Sequence, residues 1–103
     1  MGNLGHGYTP THPGEVLKDE IEYRGIPLSR LARQMGISYH ALSEILNGRR
    51  SLTTRTAMRF EAALDVPADS LMRLQLKYNL HMAQADKKLS DSLAQIRKAA
   101  AML

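Results

Sequence analysis

The side chains best suited to chemistry sit close together. Tyr39, His40, Ser43 and Glu44 fall on the outer face of a segment whose inner positions, Leu42, Ile45 and Leu46, are apolar. These four supply hydrogen-bond donors and acceptors, not the Lys/Glu mixture of an idle solvated helix. Tyr39 and His40 can each reach a base edge or a thymine methyl, and a carboxylate such as Glu44 can accept from cytosine N4. Around them lie seven arginines, Arg24, Arg30, Arg33, Arg49, Arg50, Arg55 and Arg59. With Glu44 as the sole acid, residues 24–59 carry +6. Residues 1–23 carry −3 and residues 60–103 only +1, so the excess of this +4 chain is confined to its middle third. A guanidinium is a rigid fork matched to phosphate oxygens. Arg49, Arg50 and Arg55 are expected to bond phosphates and fix position without reading sequence.

Each of these readings has a plainer rival. Basic surface is often merely solvated. Glu44 equally fits an ion pair with Arg33 or Arg49, and Tyr39 an inward-packed aromatic. Enzymatic chemistry has little support. His6, His12, His40 and His81 show no i, i+4 pairing, and the chain has no cysteine, so no metal site is expected. No serine or aspartate lies near a histidine in a triad-like setting, and no glycine-rich phosphate loop is present. Four scattered surface histidines are expected, with no cofactor.

The elements that would hold this face read as helices throughout. At 103 residues the chain has room for one modest core. Residues 1–12 (MGNLGHGYTPTH) are rich in Gly, Thr and Pro and read as a flexible arm. Pro13 and Glu15 suit a helix start. Helix one is expected from Gly14 to Tyr23, burying Val16, Leu17 and Ile21 and stopping at Gly25. Helix two follows Pro27, with Leu28, Leu31, Ala32 and Met35 on one stripe and Gly36 as terminator. Ser38 can cap helix three, Tyr39 to Leu46, and Asn47-Gly48 ends it. Thr53 or Thr54 caps helix four, Arg55 to Leu64, with Ala57, Phe60 and Leu64 inward. Pro67 marks the next boundary, Asp69 lies near the start of helix five, and Leu71, Leu74 and Tyr78 share a face. Leu89, Leu93, Ile96, Ala100 and Leu103 form a short heptad seam that cannot stay exposed on an isolated helix. Nothing alternates with a period of two. The class is all-α, divided into an arm (1–12), a helix-turn-helix domain (13–83) and a helical extension (84–103).

Two short helices joined through Gly36-Ile37-Ser38 have the length of a turn that sets the second helix in a major groove. The run LARQMGISYHALSEILNGRR resembles the Cro and phage-repressor (XRE-type) helix-turn-helix family. More narrowly, HPGEVLKDEI, LARQMGIS, ILNGRR, TAMRF and LQLKYNL resemble the HigA antitoxins of plasmid-maintenance toxin–antitoxin systems, over Pro13 to Ala83. The resemblance implies a five-helix lambda-repressor-like domain, here with an added C-terminal helix. It also implies a repressor that neutralises an mRNA-cleaving, RelE/HigB-like toxin. Carried over by position, Ser38, Tyr39, His40 and Glu44, with Ser43 beside them, face base edges or flanking phosphates. Arg30, Asn47, Gly48, Arg49, Arg50, Thr54 and Arg55 form the phosphate-facing set. Two departures stand out: Asp65 replaces a frequent glycine, and Ser70 and Leu71 replace aromatic residues. The tail from about Ala85 has no firm family counterpart.

One short recognition helix reads too few base pairs for useful selectivity, so a homodimer on an inverted repeat of operator DNA is expected. Leu71, Leu74, Tyr78, Leu89, Leu93 and Ile96 are the dimer or partner candidates. The other readings are a stand-alone regulator without a toxin and a protein-binding helical adaptor. With no apolar run of membrane length and no basic-then-apolar N-terminus, a cytoplasmic protein without membrane contact is expected.

Overall fold

The computed structural model describes residues 9–103. Six helices follow in order: α1 Pro13–Arg24, α2 Leu28–Met35, α3 Tyr39–Leu46, α4 Thr54–Leu64, α5 Ala68–Gln84 and α6 Lys87–Ala100. The described residues contain no strand, and none of their helices is long and apolar enough to cross a membrane.

Caps explain most of the boundaries. His12 opens α1: its Nδ1 accepts from the Gly14 N–H at 2.9 Å, and Glu15 Oε2 accepts from the His12 N–H at 3.1 Å. This is a capping box with histidine in place of the usual Ser or Thr. The expected arm of residues 1–12 therefore does not extend to His12, which is buried and belongs to the domain. Residues 1–8 of that arm lie outside the described residues. Ser38 Oγ accepts from Ala41 N at 3.0 Å and opens α3. Thr53 is the cap of α4, and Thr54 is its first residue. Asp86 Oδ1 accepts from Leu89 N at 3.2 Å and opens α6. At the far end of α2, Gly36 takes φ 72°, a left-handed conformation glycine adopts without steric cost.

The core draws on all of the first five helices. Leu17 and Ile21 of α1, Leu31, Ala32 and Met35 of α2, and Leu42, Ile45 and Leu46 of α3 belong to one buried cluster, in which α3 packs against both α1 and α2. Leu52 from the following loop, Ala57, Phe60 and Leu64 of α4 and Leu71 of α5 complete it. Phe60, the one phenylalanine, is fully buried. Val16, expected inward, is instead exposed: Leu17 and Ile21, four residues apart, take the buried face of α1 with Pro13 and Gly14, and Val16 lies off it. Leu71 is also misplaced by the sequence reading. It is 1 % exposed and fills the core, so it is unavailable as a partner contact. Leu74 and Tyr78 are half-buried.

Helix α6 buries no residue. It extends the molecule to 55 Å and raises the radius of gyration to 17.4 Å, against about 13 Å for a compact chain of 100 residues.

Candidate nucleic-acid interface

Helix α3 is held by its apolar side. Leu42, Ile45 and Leu46 are buried, so rotation about the helix axis is fixed and the opposite side must face outward. Ser38, Tyr39 and His40 are exposed, while Ser43 and Glu44 are half-buried. Tyr39 is 56 % exposed, which removes the inward-packed alternative. It lines a cleft of about 320 Å³ together with Ser43, Leu46 and Asn47 of the same stretch and Lys18, Ile21 and Glu22 of α1.

The turn after α3 is built onto it. Asn47 Nδ2 donates to the Ser43 carbonyl at 2.9 Å, and the Arg49 N–H donates to the Glu44 carbonyl at 2.8 Å. Lys18 Nζ reaches Asn47 Oδ1 at 3.5 Å. Below the turn lies His12, close against Gly48. Its ring meets Tyr78 of α5 edge-on, with centroids 4.9 Å apart. Burial lowers the His12 pKa, opposed by the Glu15 charge and the Arg50 backbone carbonyl. The expectation of four surface histidines thus fails at His12, whose capping role requires burial. His40 is exposed, His81 is half-buried, and His6 lies outside the described residues. From the other side, Gln75 Oε1 accepts from the Leu52 N–H at 2.7 Å, and Gln75 Nε2 donates to Asn79 Oδ1 at 2.8 Å. This buried amide ties the loop to α5.

The arginines do not form one set. Arg24 Nη2 donates to the Leu64 carbonyl at 2.7 Å, and Arg24 Nε pairs with Glu20 at 2.6 Å. Arg59 Nη1 donates to the carbonyls of Met35 and Gly36 at 2.8 and 3.2 Å. Both guanidiniums satisfy carbonyls at helix C-termini, where positive charge is favourable. Arg50 donates through Nε and Nη2 to Glu44 Oε1, at 2.9 and 2.6 Å. His40 Nε2 lies 3.2 Å from Glu44 Oε2. The partner of Glu44 is therefore Arg50, not the expected Arg33 or Arg49. The hydrogen bond from Arg50 holds the Glu44 carboxyl below its usual pKa; burial opposes this, and the charges of His40, Arg50 and Arg49 add to it. Among the described residues, the guanidinium groups of Arg30, Arg33, Arg49 and Arg55 have no hydrogen-bonded or ion-paired partner. The +6 of the middle third thus overstates the charge available to a polyanion.

Sequence reasoning missed His12, Lys18 and Gln75. Lys18 is the only basic residue among the first 23, a weak signal, and nothing in its spacing links it to Asn47. No group of three or more metal-ligating side chains occurs among the described residues.

Two short helices around a left-handed glycine, with an outward polar face on the second, define a helix-turn-helix DNA-binding regulator. The helix-turn-helix family model HTH_3 matches residues 17–71, and the chain belongs to that family, of XRE type. It is 33% identical over 78 residues to virulence-associated protein I of Dichelobacter nodosus, covering 75% of this chain and 72% of that one. An addiction-module antidote protein of the HigA family from Coxiella burnetii superposes with a TM-score of 0.69 at 32% identity, over 88% of this chain and 95% of that one. The antitoxin HigA of Pseudomonas aeruginosa, solved with its higBA promoter, gives 0.69 at 34% identity, over 74% and 84%. The expected architecture, a five-helix lambda-repressor-like domain with an added helix, agrees with these folds.

Proposed function

We propose that this protein is a cytoplasmic homodimeric repressor that binds operator DNA, and the antitoxin of a RelE/HigB-like mRNA-cleaving toxin whose operon it autoregulates. The observation that carries the DNA reading is the exposed face of α3 beside Arg49 and Arg55, two guanidiniums with no partner among the described residues. Ser38, Tyr39, His40 and Ser43 meet base edges. Arg30, Asn47, Gly48, Arg49, Thr54 and Arg55 meet phosphates. Ser38 has its hydroxyl proton and one lone pair left for this, since its oxygen accepts one hydrogen bond in capping α3. The antitoxin reading is supported by likeness to proteins described as an antidote and as an antitoxin.

The dimer is built on the exposed apolar residues of the last two helices. Leu76 and Leu80 recur at a helical step on α5, and Leu89, Leu93 and Ile96 on α6. Leu74 and Tyr78, the other candidates on α5, are half-buried on a different side of that helix, Tyr78 against His12. Titration of the full chain against a duplex from its own upstream region tests the reading. With roughly 6–10 phosphate contacts, affinity falls about a thousandfold or more between 50 and 200 mM salt. Absence of binding to that duplex at any salt would leave a helical adaptor instead. Co-purification with the product of a neighbouring gene separates an antitoxin from a stand-alone regulator.

A further inference from the structure

The outer face of α3 carries one carboxylate, and that carboxylate is fully occupied. Glu44 Oε1 takes two hydrogen bonds from Arg50, and Oε2 faces His40. Arg50 lies six residues on, past the turn, and its guanidinium is drawn back over α3 instead of projecting from the turn. A guanidinium neutralised within the protein releases no counterion when a duplex arrives. We propose that Glu44 is a positioning residue that holds Arg50 out of phosphate contact, limiting the sequence-independent grip of this surface on DNA.

This rests on the DNA-binding reading above. The cation count agrees with it. Arg49 and Arg55 form no ion pair with the carboxylate and keep their charge for the duplex, whereas Arg50 is paired through two nitrogens of its fork. Both nitrogens converge on the one oxygen Oε1, and a charge-assisted hydrogen bond is stronger than one between neutral groups. Both partners remain accessible, Arg50 at 50 % and Glu44 at 29 % of the side chain, so the pair can be opened without unfolding the domain. Repulsion between Glu44 and phosphates acts in the same direction.

The test compares wild type, Glu44→Gln, Glu44→Ala, Arg50→Ala and the Glu44→Gln/Arg50→Ala double variant. Each is titrated with the upstream duplex and with a random-sequence duplex of equal length across 50–200 mM salt, after circular dichroism shows unchanged helix content. One added phosphate contact steepens the slope of log K against log salt by about 0.9, an extra three- to fourfold loss over that range. Both Glu44 variants are expected to show that steeper slope on both duplexes, with tighter binding at low salt. Arg50→Ala leaves the wild-type slope alone and cancels the gain in the double variant. Equal slopes for wild type and both Glu44 variants would overturn the proposal. So would a flatter slope for Arg50→Ala alone, because Arg50 would then already be on a phosphate. If no variant binds either duplex, the DNA-binding reading fails first and this inference falls with it.

Discussion

Gly14 packs against the backbone carbonyl of Ile45 so closely that a methyl group at position 14 would overlap that oxygen. Here α1 crosses the recognition helix with no side chain between the backbones. Backbone carbonyls do not swing aside, so Gly14→Ala must push the two helices apart. Overpacking of this kind costs about 1–3 kcal/mol and occasionally more, and this site is expected at or above the upper end. Urea unfolding followed at 222 nm measures it. A loss within 0.5 kcal/mol of zero would show the helices free to separate.

Asp65 closes α4 with φ 60°, the one left-handed non-glycine among the described residues. A Cβ there crowds the following carbonyl oxygen. Asp65→Gly should raise stability by about 0.5–1 kcal/mol, after the larger entropy loss of glycine is deducted. The midpoint of urea denaturation reads it, with no change expected in the slope.

His12 gives folding a pH dependence of definite sign. Its folded pKa is below the ordinary 6.5, so below pH 6.5 the unfolded chain binds more protons than the native one. Stability from this residue is complete above pH 6.5 and is lost as pH falls from there toward the folded pKa. Protonating Nδ1 also removes the acceptor that receives the Gly14 N–H. His12→Asn, which keeps a capping oxygen, should flatten stability between pH 7 and 5. Glu44, also lowered, acts with the same sign in a more acidic window: its contribution is complete above its ordinary 4.5 and is lost as pH falls below it. Thermal unfolding at half-unit pH steps distinguishes the two.

The arginines should separate experimentally as they do in space. Arg49→Ala and Arg55→Ala are each expected to reduce the salt slope of DNA binding by about 0.9 with little change in stability. Arg59→Ala should do the reverse. It strips two carbonyls of their donor and costs about 1–2 kcal/mol, with the slope unchanged. A slope change for Arg59→Ala comparable with that of Arg49→Ala would place Arg59 on the duplex.

Much of the fold could be read in advance because its signals are local. Proline, glycine and hydroxyl caps punctuate the chain, and Leu28, Leu31, Ala32 and Met35 announce α2 by period alone. The outward set on α3 followed from the same periodicity, since fixing Leu42, Ile45 and Leu46 inward leaves Tyr39 and His40 no other side. What escaped was set by pairings across the chain. Composition reads His12 as part of a loose arm because its burial depends on Tyr78, far along the sequence. Sequence alone offers Arg33 or Arg49 as the partner of Glu44, but the turn at Gly48 brings Arg50 back within reach. Arginine counting cannot distinguish a guanidinium that caps a helix, as Arg24 and Arg59 do, from one left for a ligand. Leu71 shows the limit of periodicity: it identifies an apolar face without saying whether core or partner covers it.

The amide of Gln75 suspends the loop at Leu52 from the longest helix of the molecule. In any pair of chains joined along that helix, this amide, together with the His12–Tyr78 contact beneath Gly48, would index the loops bearing Arg49 and Arg50 to the pairing axis. Lengthening or shortening the residue at 75 would therefore alter how far apart two half-sites can lie, while leaving untouched which bases each half prefers.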